Sequence, residues 1–495
     1  MATLKRLALI LMVGAFATGS LSALDWPVWP DSTYHPVSGH YGIIQAYYLH
    51  SGVDVAVPAG TPIYAVESGY VKAIITLYSQ YSSWRIAISD SAGTGECDAW
   101  MYAHIRPTGL PYSVGDWVEQ GAYIGEVVHW PENPETVEHL HLSKVRWHGD
   151  SASWADNFFD WNFIANPLEF MEPVNDTDLP VLQNAWGDQL FAFSRNQLYA
   201  SYFDEGAPIS GDVDIVCNAY DYHGFYQWKS NPYMIEYKIE GDSSIPWTIG
   251  VWFTDTIGSY NSLYQEQYRS VVYQGDPYCY TFFEADSQVY YFNVTNSDGD
   301  EITHPGEKEY SWQTPYFHNG DYTAYVRVSD LGGNSIVGSM TVTVENAMEL
   351  SGTVTLEGSV SDYSGAVVTV VYDGVADTTD ESGNFLISSA GGGSQLITVR
   401  KGGYSSVDTT MLMNVNRQLD VTLYLQYVCG DADGSGAVNL LDATFIINYL
   451  YKNGPEPVPP EGADASGDGS INLLDATHVI NYLYKDGPEP ICPTK

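Results

Sequence analysis

His50-Ser-Gly52-Val-Asp54-Val-Ala-Val-Pro-Ala-Gly-Thr-Pro-Ile-Tyr-Ala-Val-Glu-Ser-Gly-Tyr-Val71 is the stretch on which the reading of this chain turns. Short apolar runs broken by turn residues such as Pro58-Ala59-Gly60 predict short strands rather than helices. The same reading continues outward through strands at Gly52–Val57, Pro62–Val66, Tyr70–Thr76, Arg85–Ser89, Ala99–His104 and His139–Val145. The segment closes at Asn166-Pro-Leu-Glu-Phe170, so residues 24–173 are expected to form one antiparallel β domain. That domain holds eight of the twelve histidines of the chain, the first hint of chemistry.

Three motifs carry the histidines: His50-Ser-Gly-Val-Asp54, Met101-Tyr-Ala-His104 and His139-Leu-His141-Leu. On a strand, alternate side chains share a face. His139 and His141 then project to one side, with Leu140 and Leu142 on the other. If His50 to Asp54 is extended, His50, Gly52 and Asp54 also share a face, and Gly52 leaves room between the two polar groups. Two imidazoles and one carboxylate make a three-ligand set for Zn²⁺, which leaves a fourth position for water, as catalytic sites do. Zinc lowers the pKa of that water and polarises a carbonyl, which is what amide hydrolysis needs. Remaining histidines are then available to move protons or stabilise an oxyanion. A lone His-x-His is more often a surface pair than a ligand pair, so order and context decide.

That context includes Val114-Gly-Asp-Trp-Val-Glu-Gln-Gly-Ala-Tyr-Ile-Gly125, between the second and third motifs. Together the motifs resemble the lysostaphin/LytM family of zinc metalloendopeptidases, over residues 35–171. The resemblance implies zinc ligands His50, Asp54 and His141, with His104 and His139 flanking the metal to activate water or stabilise the transition state. It also implies a groove across the zinc, and peptide cross-links of bacterial peptidoglycan as substrate. One departure stands out. The usual Gly/Ser/Thr-rich turn before His-x-His is replaced by the longer, more acidic Val128–Glu138 stretch, which bears on substrate choice.

Toward the N-terminus, Lys5 and Arg6 precede an apolar run, Leu7–Gly19, followed by small residues near Ser22 and Ala23. Residues 1–23 thus read as a signal peptide, and the protein is expected to be secreted or at the cell surface, with no membrane span. A net charge of −42 excludes nucleic-acid or anionic-membrane binding by general electrostatics. It also fits poorly with general attraction to an anionic cell wall. Five cysteines fall in an oxidising compartment. Cys429 and Cys492 could clasp the last segment, Cys217 and Cys279 could pair, and Cys97 is left over.

Toward the C-terminus, residues 174–348 read as an all-β, Ig-like sandwich in which Tyr322-Thr-Ala-Tyr-Val-Arg-Val alternates as a half-buried strand should. His223, His304 and His318 read as loop or surface residues there. Residues 349–427 open with Gly352-Thr-Val-Thr-Leu and carry a hairpin turn at Thr379-Asp380-Glu-Ser-Gly383-Asn-Phe385. Their spacing resembles the carboxypeptidase regulatory-like β-sandwich, which implies a spacer. Residues 428–495 are a repeat: Asp431–Pro457 and Asp464–Pro490 align, both with Asn-Leu-Leu-Asp-Ala-Thr and Ile-Asn-Tyr-Leu-Tyr-Lys.

Each copy fits a twelve-residue calcium loop with oxygen donors at positions 1, 3, 5, 7, 9 and 12 and Gly at 6. The first offers Asp431, Asp433, Ser435, Ala437 (by its carbonyl), Asn439 and Asp442. The second offers Asp464, Ser466, Asp468, Ser470 (carbonyl), Asn472 and Asp475. Asp at position 12 and the absence of a helix before each loop resemble type I dockerin repeats, which implies a cohesin-domain partner. Leu440-Leu441 and Leu473-Leu474 would face it, unless they are core. The expectation is a mainly β, multidomain enzyme with catalytic Zn²⁺ and two structural Ca²⁺. Alternatives are a peptidase acting on non-wall proteins, or a non-catalytic surface assembly or adhesion protein.

Overall fold

The computed structural model describes residues 24–45, 48–76, 84–106, 111–129, 138–156, 163–174, 176–196, 201–222, 229–254, 291–297, 309–358 and 361–492. The segment read as a signal peptide lies outside them, as do His223, His304 and Cys279. The architecture is mainly β with few helices. It divides into two compact units: Met1–Gln313 with Asp321–Thr343, and Thr314–Gly320 with Val344–Lys495.

The first unit is built on an antiparallel sheet in the order Val37–Gly39, Val53–Ala56, His139–Trp147, Cys97–Ala103, Arg85–Ser89, Gly69–Ile75, Trp117–Val118, with Phe163–Ala165 also paired to His139–Trp147. The pleat explains which side chains go where. Val53 and Val55 are wholly buried and Asp54 between them turns to the opposite face. Leu140 and Leu142 are likewise wholly buried, which aims His139 and His141 the other way. Burial of each leucine stabilises the sheet by roughly 1.5–3 kcal/mol. A smaller antiparallel sheet, in the order Pro62–Tyr64, Tyr123–Val127, Ile105–Arg106, takes strands interleaved in sequence with those of the first.

The rest of this unit contributes two further sheets. One is centred on Asp212–Tyr222 and the other runs Ile245–Trp252, Met234–Glu240, Gly320–Ser329, Ser335–Val344. In Gly320–Ser329 the expected alternation holds, with Tyr322, Ala324, Val326 and Val328 buried. These sheets brace the histidine-bearing domain. Asn166 N donates to Thr254 O at 2.7 Å and Asn231 Nδ2 to Tyr41 O at 2.9 Å. Gly42, at φ +76°, lies so close to Phe253 that a Cβ would meet its ring at 2.3 Å. The turn leading to His50 is thereby packed from behind.

In the second unit, two sheets enclose one core. They are Asn384–Ala390, Met348–Leu356, Arg417–Leu423 and Val375–Thr378, Val367–Val370, Ser394–Arg400, Val407–Leu412. Leu350, Val354, Val368, Val370, Phe385, Ile387, Ile397 and Val399 fill the space between. The expected hairpin turn forms at Asp380, whose Oδ1 accepts from Ser382 N and Asn384 N. Helices Leu440–Lys452 and Leu473–Tyr484 follow, packed through Ala443, Ile446, Ala476 and Val479. Each starts at a capping box, Asn439 with Asp442 and Asn472 with Asp475. Cys429 and Cys492 form a disulfide. Cys97 and Cys217 are buried and have no disulfide partner among the described residues.

Candidate active site

The register of two strands assembles the first site. His141 lies opposite Asp54 in the pairing of His139–Trp147 with Val53–Ala56, and opposite Ala103 on its other side. His50 approaches from the preceding turn. The three side chains converge: His50 Nε2 to His141 Nδ1 is 2.9 Å, His141 Nδ1 to Asp54 Oδ1 is 2.9 Å, and His50 Nε2 to Asp54 Oδ1 is 3.2 Å. Tetrahedral zinc with bonds of about 2.0–2.1 Å places its donors about 3.3 Å apart, so this triangle fits the ion closely.

Two further histidines border the triangle. His139 Nε2 is 3.3 Å from Asp54 Oδ1. The His104 ring meets that of His139 edge-on, with centroids 4.8 Å apart, and lies 5.9 Å from that of His141. The strand expected through His104 ends at Ala103, because His104 adopts a left-handed φ of 62°. Such a conformation costs a non-glycine residue roughly 1–2 kcal/mol. It turns the ring back over the site, and its backbone is held by Trp84 O and Val128 N. All five residues read from the motifs are thus brought together.

Electrostatics suit a cation. Burial alone would raise the Asp54 pKa, but the charges of His50 and His139 and hydrogen bonds from His141 and His50 hold it well below the usual carboxylate range. Burial also presses the His50 pKa down, yet Asp54 and the His40 carbonyl outweigh this and leave it raised. Burial brings His141 down to about 4, so that its ring is neutral at ordinary pH. Small residues make room. A Cβ at Gly39 would come 2.3 Å from Asp54 Oδ2, and one at Gly52 would meet Leu142 O at 2.3 Å and His141 Nε2 at 3.0 Å.

Outer contacts, which the motifs alone do not reveal, complete the site. His50 Nδ1 bonds to His40 O at 2.9 Å, and His141 Nε2 to Ser143 Oγ at 2.9 Å. Of the acidic stretch before His-x-His, residues 130–137 lie outside the described residues. At its ends, His129 Nδ1 meets Glu138 Oε1 at 2.5 Å, and Glu138 Oε2 accepts from Ala59 N at 2.7 Å.

The two loops of the repeat share one geometry. Asp431 accepts from Ser435 N and Gly436 N, while Asp442 accepts from Asp433 N and Asn439 N. Asp464 and Asp475 repeat this with Asp468 N, Gly469 N, Ser466 N and Asn472 N. Asp442 and Asp475 are both wholly buried. Asp431, Asp433 and Asp442 offer oxygens within 4.8 Å of one another. Burial raises the Asp442 pKa, against its backbone hydrogen bonds, and the charges of Asp433 and Asp431 add to the rise. Carboxylates gathered this way suit a hard cation bound through oxygen. Leu440, Leu441, Leu473 and Leu474 are about half to two-thirds exposed (49, 65, 50 and 64 %), so they are surface residues rather than core. A third group, Asp176, Asp221 and Asp330, brings oxygens equally close. Its members are far apart in sequence and share no motif, so nothing in the chain's order announces them.

Residues 48–153 match the model of peptidase family M23, and residues 429–484 match that of the dockerin type I domain. The resemblances read from the histidine motifs and from the repeat are borne out by these two matches. No curated protein matches the chain. Among solved structures, one described as an M23 peptidase from Pseudomonas aeruginosa is 23% identical, over 30% of this chain and 50% of that one, with a TM-score of 0.20. Helicobacter pylori Csd3 is 20% identical over 31% and 35%, with a TM-score of 0.21. A type II cohesin–X–dockerin complex from Acetivibrio cellulolyticus is 21% identical over 27% and 94%, with a TM-score of 0.17. The chain therefore spans half the length of the Pseudomonas protein and about a third of Csd3.

Proposed function

We propose that this chain is a secreted zinc metalloendopeptidase that cleaves peptide cross-links of bacterial peptidoglycan and is tethered by a calcium-loaded dockerin to a cohesin-domain partner. The observation that carries the reading is the convergence of His50, Asp54 and His141 on one point, with His104 and His139 beside it. His50 Nε2, Asp54 Oδ1 and His141 Nδ1 would hold the zinc, which supplies Lewis-acid polarisation and an activated water. His139 and His104 divide two tasks between them. One takes the proton of the attacking water and passes it to the departing amine. The other donates a hydrogen bond to the tetrahedral oxyanion. A binding module has no use for two such histidines beside three ligands, which favours an enzyme over an adhesion protein. In the repeat, Asp431, Asp433, Ser435, Asn439 and Asp442, with the Ala437 carbonyl, hold one calcium. Asp464, Ser466, Asp468, Asn472 and Asp475, with the Ser470 carbonyl, hold the other. The exposed leucine pairs supply an apolar face for the partner.

The strongly acidic chain favours one second reading, a non-wall protein substrate, since it gains nothing from general attraction to an anionic wall. Release of new amino groups from purified peptidoglycan separates the two. Activity is expected in the wild type and absent from His139→Ala and from chelated protein. Zinc-loaded wild type that releases none from peptidoglycan but cleaves an unfolded protein establishes the second reading. Inactivity on both returns the chain to the non-catalytic class.

A further inference from the structure

His141 uses its two ring nitrogens on different partners. Nδ1 faces His50 Nε2 and Asp54 Oδ1, while Nε2 faces Ser143 Oγ at 2.9 Å. Ser143 stands two residues on along the same strand, so its side chain shares the face of His141. It is wholly buried. The pocket for its hydroxyl exists because residue 52 has no side chain. A Cβ there would come 2.6 Å from Ser143 Oγ.

We propose that Ser143 is a positioning residue of the zinc site: its hydroxyl accepts the Nε2–H of His141 and thereby presents the Nδ1 lone pair to the metal. The inference rests on the zinc reading above. A neutral imidazole has one N–H and one lone pair, and the hydrogen bond made by one nitrogen selects the role of the other. A buried ring without an acceptor at Nε2 can place its proton on Nδ1 instead, where it blocks coordination. The corresponding support of His50 is the backbone carbonyl of His40, which no side-chain substitution removes. Ser143 is the outer contact that mutation can reach. Loss of such contacts weakens metal affinity about 10- to 100-fold.

The test uses the full chain in excess calcium. Zinc affinity is measured by competition with a chromophoric chelator for wild type, Ser143→Ala and Ser143→Cys. The His141 ring is followed in parallel, in the zinc-loaded protein, by proton–nitrogen correlation spectra. Ser143→Ala should bind zinc about 10- to 100-fold more weakly, at an unchanged melting temperature of the metal-free protein. The Nε2–H signal should shift or broaden. Ser143→Cys, with a weaker acceptor, should fall between. If Ser143→Ala retains wild-type affinity, the inference is wrong, and a lowered melting temperature alone would mark Ser143 as a packing residue. If the wild type itself fails to take up one zinc at this site, the zinc reading fails, and this inference with it.

Discussion

At the residue scale, the site is a contest between protons and metal for the same atoms. Asp54 stays ionised and His141 stays neutral down to about pH 4, whereas the His50 pKa lies above its ordinary 6.5. The sign follows directly. His50 carries a proton in the metal-free protein below its raised pKa, and zinc bound as proposed would have to displace it. Zinc affinity should therefore be flat at high pH and fall as pH drops through that value, by about tenfold per pH unit for one displaced proton. Among the three converging groups, the next proton enters near pH 4, through His141. Isothermal titration across pH 5 to 9 checks this, and a two-proton slope near pH 6 would contradict it. Part of the site could be read beforehand, because the two-residue period of a strand places His139 with His141; His50 meets Asp54 otherwise than expected, since the strand begins at Val53 and His50 enters from the turn before it. The left-handed turn at His104 could not be read, nor the supports at His40 and Ser143, since these depend on backbone brought close by tertiary pairing.

At the element scale, the pairing of Val53–Ala56 with His139–Trp147 matters more than either strand alone, since their register sets Asp54 opposite His141. Gly52 guards that register. Its added Cβ would strike the Leu142 carbonyl at 2.3 Å, and backbone cannot swing aside as a side chain can. Gly52→Ala should lower stability by about 1–3 kcal/mol, and should displace Asp54 enough to weaken zinc binding. Thermal melts of metal-free protein and zinc titration read the two effects separately. A stable variant with intact zinc binding would show that the strands can part without losing the site. The alternating valines and leucines announced these strands in the sequence. Their neighbours were not announced: Cys97–Ala103 pairs with His139–Trp147 across a long intervening stretch that no local pattern bridges.

At the scale of the whole molecule, the chain joins a sheet-borne site to a small repeat module closed by a disulfide, which in the proposed function also holds two calcium ions. The repeat was readable because its two copies are in phase, and the same reading suggested the Cys429–Cys492 pair that the structure contains. The packing of the middle sheets behind the His50 turn was not readable, because contacts such as Asn231 to Tyr41 join residues with no shared pattern. The helices of the repeat bury mainly alanines and single aliphatic residues, a small core for two helices and two loops. Small cores commonly need a staple or a metal. The disulfide closes a separation of 63 residues, which in the chain-entropy account stabilises by about 4 kcal/mol. The paired variant Cys429→Ser, Cys492→Ser should therefore need more calcium to fold the repeat, seen as a rightward shift of the calcium titration followed by circular dichroism. Zinc affinity should remain that of the wild type, because His50, Asp54 and His141, the proposed ligands, all lie in the other unit. If calcium dependence is unmoved, the two ion-bound loops alone hold the module together; if zinc binding falls as well, the two units are coupled and the tether does more than anchor.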